Sequence, residues 1–224
     1  MSFGDSKAIV SNQPGIHENL ADIVNKHLSS TFKKPISAHT LEAFEQVDLL
    51  VKQHQGPVIL DACCGVGQST RILAKRNPEA LVIGVDKSDN RINRNVVDHW
   101  QADNFVLLRA DLNDFYRLVV EANWPVEQHY ILYPNPWPKA KHIGRRWHGS
   151  AVFPYILKVG KSLHLRSNWQ LYLQEFLFAA QIAGFQGLIA DVNDSEPLTP
   201  FEAKYQASGQ KCWRLDINLH AESN

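Results

Sequence analysis

Cysteine is scarce in this chain: three in 224 residues, two of them adjacent at 63 and 64. Three cannot make a disulfide framework, and their spacing does not suit a zinc site, so no metal is expected and the thiols read as small, reduced core residues. An excess of charge of either sign is missing too, with 23 basic against 23 acidic residues. That excludes a nonspecific polyanion coat, and any contact with nucleic acid must come from a local patch. No apolar run approaches the length of a membrane span. The opening MSFGDSKAIVSNQPG has no basic start followed by an apolar segment, which leaves the cytoplasm as the expected location. Repeats, low-complexity tracts and a Pro/Gly-rich linker are also absent, and a hydrophobic fraction of 44% suffices for one full core.

What is present is an alternation of two periods. Ile16, Leu20, Ile23, Val24 and Leu28 fall at helical spacing after Pro14-Gly15, and Leu41, Phe44, Val47, Leu50 and Val51 repeat the pattern, so two helices are expected before the sheet. From Pro57 onward, short apolar runs alternate with amphipathic stretches: VILDA, a helix over Thr70 to Arg76, LVIGVD, a helix over Ile92 to Trp100, FVLLRAD, a helix over Leu112 to Glu121, then HYILYP. Runs buried on both faces and separated by helices predict a doubly wound α/β fold with a mostly parallel sheet. SLHLRS reads as a fifth strand, Trp169 to Ala183 as a helix, and FQGLIADV with CWRLDIN as a closing pair, seven strands in all.

Chemistry gathers at the strand ends. The first strand runs into LDACCGVGQST, with Asp61 before Gly65 and Gly67, and glycines there let a cofactor approach backbone at a helix N-terminus. Asp86 closes the second strand about 20 residues on, where a carboxylate can grip ribose hydroxyls. Asp111, after the third strand, suits either an adenine contact or the N-cap of the next helix. A dinucleotide fingerprint would want a glycine where Thr70 stands, which leaves little provision for a pyrophosphate. The pattern D-x-x-x-G-x-G instead resembles motif I of the class I S-adenosylmethionine-dependent methyltransferases. That resemblance implies S-adenosyl-L-methionine as cofactor, held by Asp61, Gly65, Gly67, Asp86, Asp111 and Asn135. Cys63 stands where that family often has another glycine.

At the fourth strand, prolines at 134, 136 and 138 cannot extend a ladder, so the chain leaves the sheet around Asn135 and Trp137. Lys139, Lys141, His142, Arg145, Arg146 and His148 follow, a donor density that suits a phosphate backbone. Trp137, tucked between prolines, reads as a packed wedge more readily than as a base platform. YPNPWPKAKHIGRR resembles the PDPWPK…H…RR loop of the tRNA (guanine-N7)-methyltransferases. LHLRSNW is similar to a strand that ends in Thr-Asp there, and LTPFEAKYQASGQKCWRLD to a T-x-x-E-x-K…G motif. The likeness spans about Val58 to Asp216 and is that of a diverged member. It implies a Rossmann-like methyltransferase domain over 56–224, one folding unit carrying an N-terminal helical extension over 1–55. It also implies tRNA as partner through the basic loop 139–148, with Lys139, His142, Arg145 and Arg146 on phosphates and Thr199 and Glu202 lining the site.

The departures bear on catalysis. Asn135 replaces the aspartate of the PDPW loop, and Ser167-Asn168 replace Thr-Asp, so Asn135, Asn168 and Glu202 become the expected catalytic set with two negative charges removed. Guanine N7 carries a lone pair and no proton, so its methylation needs no general base. Losing one preorganised electrostatic group costs roughly 10²- to 10³-fold in turnover. An amide, with one acceptor and one donor, also complements adenine or cytosine better than guanine's Watson–Crick edge. Two alternatives follow: methylation of an exocyclic amine, echoed by the NPW order, or a catalytically weak relative that binds cofactor and RNA. A nicotinamide-dependent dehydrogenase and a cytosine C5-methyltransferase fit less well, the latter because no cysteine follows a proline in a nucleophile loop.

Overall fold

All five residues of VILDA are buried in a strand, β1 (Val58–Ala62), as are all six of LVIGVD in β2 (Leu81–Asp86). A strand with no face for water needs cover on both sides. The computed structural model describes residues 6–93 and 103–220 and supplies that cover. β1 and β2 join β3 (Phe105–Arg109), β4 (Val126–Leu132), β5 (Ser162–Ser167), β6 (Gly187–Asp191) and β7 (Trp213–Asn218) in one seven-stranded sheet of order β3-β2-β1-β4-β5-β7-β6. β3 through β5 run parallel, and β7 enters antiparallel to both β5 and β6. The doubly wound, mostly parallel sheet read from the sequence is therefore the observed one. β1 and β4 are neighbours, and successive strands leave them in opposite directions, so the crevice beyond their C-terminal ends is the topological switch point.

The two N-terminal helices are α1 (Leu20–Leu28) and α2 (Ala38–Gln53). α1 buries Leu20 and Val24 and packs on α7 (Gln170–Ile182), whereas α2 packs on α5 (Leu112–Glu121). Phe44 of α2 stacks on Trp124 at 5.0 Å and meets Phe115 edge-on at 5.6 Å. Their buried side chains belong to the same hydrophobic cluster as the sheet, although no motif links them to it in sequence.

α3 (Gln68–Arg76) follows the glycine turn. The helix expected over Ile92 to Trp100 is described only at its start, as α4 (Asp89–Asn93), its remainder lying outside the described residues. Two expected strands end early: β3 stops at Arg109 and β4 at Leu132. The basic loop contains two 3₁₀ turns, Ala140–Arg145 and Trp147–Gly149, followed by a one-turn helix, α6 (Phe153–Ile156). α8 (Pro200–Ala207) has no counterpart among the elements expected from the sequence. Its signals were a cap and a proline rather than an apolar period, and its only buried residue is Glu202.

Candidate active site

At the switch point, Cys63, Asp86, Asp111, Leu112, Leu132, Pro134, Asn135, Trp137 and Arg145 line one open cleft. It holds about 800 Å³ of atom-free space, solvent included, which suits a nucleoside-sized ligand. The turn that opens it has a left-handed backbone at Cys63 (φ 63°), Gly65 (φ 62°) and Gly67 (φ 78°). Gly67 has a second reason to lack a side chain, because a Cβ there would lie 2.5 Å from Leu107 Cδ1. Cys63 adopts the same conformation with a side chain, at a cost of about 1–2 kcal/mol, which is why a glycine is the commoner solution. Burial first, then the charges of Asp86 and Asp61, push the Cys63 thiol up to about 12, so it stays protonated and is no nucleophile.

Asp86 is 4% exposed and already organised. Its Oδ2 accepts from the Gly65 N–H at 3.0 Å and from Arg91 at 3.3 Å, and its Oδ1 from the Ser88 N–H at 2.7 Å. Arg91 is half exposed, so its place on the carboxylate can be yielded to a ligand hydroxyl. Asp111 is both things the sequence allowed: it lines the cleft, and its Oδ1 caps α5 by accepting from the Asn113 N–H at 3.0 Å. Burial raises its pKa, but hydrogen bonds from Asn113 and the Lys87 ammonium outweigh it and leave the carboxyl below its ordinary value. The Asp111 N–H donates to Thr40 Oγ1 of α2 at 3.0 Å, so an N-terminal helix helps to place a cleft acid.

The loop after β4 is held under strain. Tyr133 (φ 50°) and Trp137 (φ 44°) are bulky residues in the left-handed region. Such residues cost on the order of 1–3 kcal/mol each and persist only where the surroundings enforce them. The Tyr133 N–H donates to the Arg166 carbonyl at 2.9 Å. Arg146 donates through Nε and Nη2 to the Trp137 carbonyl at 3.2 and 3.0 Å. From the N-terminal segment, Ser11 Oγ donates to the Pro138 carbonyl at 2.6 Å and Asn12 Oδ1 accepts from the Ala140 N–H at 3.0 Å. Trp137 is half-buried, edge-on to His142, with the Arg145 guanidinium 4.7 Å from its ring centre. Arg145 is exposed, as are Lys139 and Lys141, whereas His142 is partly covered. Desolvation, then Arg145, Lys141 and Lys139, push His142 below the ordinary imidazole value.

Five expectations need correction. Arg146 does not meet phosphates: it is fully buried and ion-paired to Glu175 of α7. Glu175 also accepts from His148, Gln13 and the His17 N–H, so the loop, the N-terminal segment and α7 close on one buried carboxylate. Glu202 does not line the cleft: it is fully buried and paired with Arg166 at 2.9 Å, while Arg166 also binds Asp194. Thr199 is the N-cap of α8, its Oγ1 accepting from the Glu202 N–H at 3.0 Å, so T-x-x-E places a cap at the helix start rather than two site residues. Asn168 is turned to Gln210, with Nδ2 donating to Oε1 at 2.9 Å, away from the cleft lining. Asp61 is buried behind the turn. Its Oδ2 accepts from Ser69 and Thr70, and burial raises it to about 6 against those hydrogen bonds. Conversely, Lys87, Arg91, Trp147, Tyr172 and Phe201 line the cleft without having been singled out. For Phe201 the signal was its place in the first turn of a capped helix.

Comparison with known proteins agrees with this fold. Residues 55–215 match a family described as "Putative methyltransferase". Among curated proteins, a tRNA (guanine-N(7)-)-methyltransferase of Serratia proteamaculans (strain 568) is 29% identical over 171 residues, covering 71% of each chain. One of Neisseria meningitidis serogroup B is 26% identical over 168 residues, covering 71% of this chain and 70% of that one. Among solved structures, a 16S rRNA (adenine(1408)-N(1))-methyltransferase from Catenulisporales acidiphilia superposes with a TM-score of 0.57 at 15% identity, over 80% of this chain and 92% of that one. The last likeness speaks to the fold alone.

Proposed function

Because the chain belongs to the methyltransferase family that its residues 55–215 match, we propose that it transfers a methyl group from S-adenosylmethionine to N7 of a guanine in tRNA. The observation that carries methyl transfer from this cofactor is the cleft, which brings Asp86, Asp111 and the Pro134–Trp137 loop to one switch point. The residues present fit the cofactor. Gly65 has nothing within 4 Å of where a Cβ would sit, so a ligand can lie against the backbone. Asp86 would take the ribose hydroxyls in place of Arg91, and Asp111 with Leu112 and Asn113 would flank the base.

When bound, S-adenosylmethionine would supply an electrophilic methyl on a sulfonium to the lone pair of guanine N7, leaving a neutral thioether and a cationic purine ring. No proton moves, so no general base is needed. Glu202, expected in the catalytic set, is locked in a buried ion pair. The chain's own contribution is positioning. Arg146 and the N-terminal segment hold the loop, and Lys139, Lys141 and Arg145 would meet phosphates at its outer face.

The likeness to tRNA (guanine-N(7)-)-methyltransferases supports guanine N7 of tRNA as the target. Transfer of labelled methyl to bulk tRNA lacking 7-methylguanosine, followed by nucleoside analysis, tests the reading. Formation of 7-methylguanosine is expected. A methylated adenosine or cytidine instead, or no product on any RNA, would overturn it.

A further inference from the structure

Asn135 sits exposed on the lining of the cleft, to which Phe201 also contributes. Its Oδ1 accepts the N–H of Trp137, two residues on, at 3.3 Å. A backbone N–H can face only the amide oxygen, so this contact sets which way the amide is turned. This one bond turns the oxygen toward the loop and leaves it a second lone pair, while the NH₂ makes no hydrogen bond among the described residues and has both of its donors for a ligand. Asn135 therefore brings its unpartnered NH₂ to the cleft as the stronger of its two offers, its oxygen being already engaged once by the loop.

We propose that Asn135 is a specificity-determining residue that donates its Nδ2–H to O6 of the target guanine, leaving the adjacent N7 free to accept the methyl group. This rests on the guanine-N7 reading above and deepens it. On the edge that carries N7, guanine shows two acceptors, N7 and O6, whereas adenine shows N7 beside an amine. A donor next to N7 thus accepts guanine and rejects adenine. An aspartate at 135 would set a second acceptor against O6, and its best partners on guanine are the ring N–H and 2-amine of the opposite edge. The amide is then a change in which edge is read rather than a loss of function. Phe201, 49% exposed on the same cleft, offers an apolar face for the base to stack on.

The test replaces the methylated guanine in a tRNA transcript by inosine, which keeps O6 and N7 and lacks the 2-amine, or by 2-aminopurine, which keeps N7 and the amine and lacks O6. For wild type, kcat/KM on inosine should stay within about threefold of guanine while 2-aminopurine falls roughly tenfold or more. In Asn135→Ala the preference for O6 should collapse to within about threefold, the mark of a direct pair in a double-mutant cycle. Asn135→Asp should fall on guanine and inosine alike. Discrimination against inosine instead of 2-aminopurine, or an O6 preference that survives in Asn135→Ala, would overturn the assignment. If wild type methylates no tRNA guanine, the tRNA reading fails. The same ratios are then measured as competitive binding of guanosine, inosine and 2-aminopurine riboside to the cofactor-loaded protein, and they decide the role of Asn135 separately.

Discussion

Glu175→Gln removes one charge from the most enclosed ionic cluster described here while keeping the side chain's shape. Arg146 would remain fully buried without its carboxylate, and Gln13, His148 and the His17 N–H would lose a charged acceptor. Leaving one member of a buried ion pair uncompensated costs about 3–5 kcal/mol. With a urea slope of about 2–3 kcal/mol per molar for a chain of this size, the unfolding midpoint should drop by roughly 1–2.5 M. The pH dependence gives a second reading of the same group. Burial would raise Glu175, but His148, Arg146 and Gln13 outweigh it and hold the carboxyl at about 2 against an ordinary 4.5. A depressed carboxylate adds stability that is fully present above pH 4.5 and is lost as pH falls through about 2, a contribution of roughly 3 kcal/mol. The Gln variant should lose that part of the acid slope. Urea unfolding followed by circular dichroism between pH 7 and 2 measures both. Arg146→Met together with Glu175→Leu should cost less than Glu175→Gln alone, since burying neither charge avoids the desolvation. An unchanged midpoint in Glu175→Gln, or a double variant that loses the sum of the two single losses, would refute the buried-pair account.

Asp86→Ala should raise the dissociation constant for S-adenosylmethionine by at least roughly tenfold, since a charged acceptor contributes about 1.5–3 kcal/mol per hydrogen bond, and calorimetry with an unchanged circular-dichroism spectrum checks it. Lys139→Ala, Lys141→Ala and Arg145→Ala should each weaken tRNA binding and flatten the salt dependence by about 0.7–0.9 per contact in a log–log filter-binding plot. Arg146→Ala should lose stability instead, which separates the exposed cations of the loop from the buried one. Gly67→Ala should destabilise by about 1–3 kcal/mol more than Gly65→Ala in urea titrations, because the two share the left-handed strain and only the former drives a Cβ into Leu107. Burial, with the nearby His164, pushes His129 to about 3 from 6.5, so it is neutral in the fold, hydrogen-bonded to the Tyr116 hydroxyl. Its contribution is present above pH 6.5 and lost as pH falls from there towards 3, and His129→Asn should flatten stability across that window.

The sheet was legible because its signal is local. VILDA and LVIGVD have no residue spare for water, the runs between them repeat every 3.6 residues, and those two periods admit only strands covered by helices. The glycine turn and the acid of the second strand were legible for the same reason, since the left-handed backbone at Gly65 and Gly67 and the place of Asp86 follow from a few neighbouring residues. Side-chain partners were not legible, because partners are distant in sequence. Arg146 and Arg145 are adjacent and of one type, yet the first turns inward to Glu175, 29 residues on, and the second outward over Trp137. T-x-x-E reads as two site residues until the chain places Arg166 against Glu202, 36 residues away, and leaves Thr199 to cap the helix. The N-terminal segment carried no motif, and only folding brings Ser11 to Pro138 and Thr40 to Asp111. The sequence by itself thus determined the sheet, its order of burial and the glycine turn, which depend on backbone period and local conformation. Tertiary structure alone decided which charges face water and which close on one another, because that depends on where the field of a distant partner offsets the cost of leaving solvent.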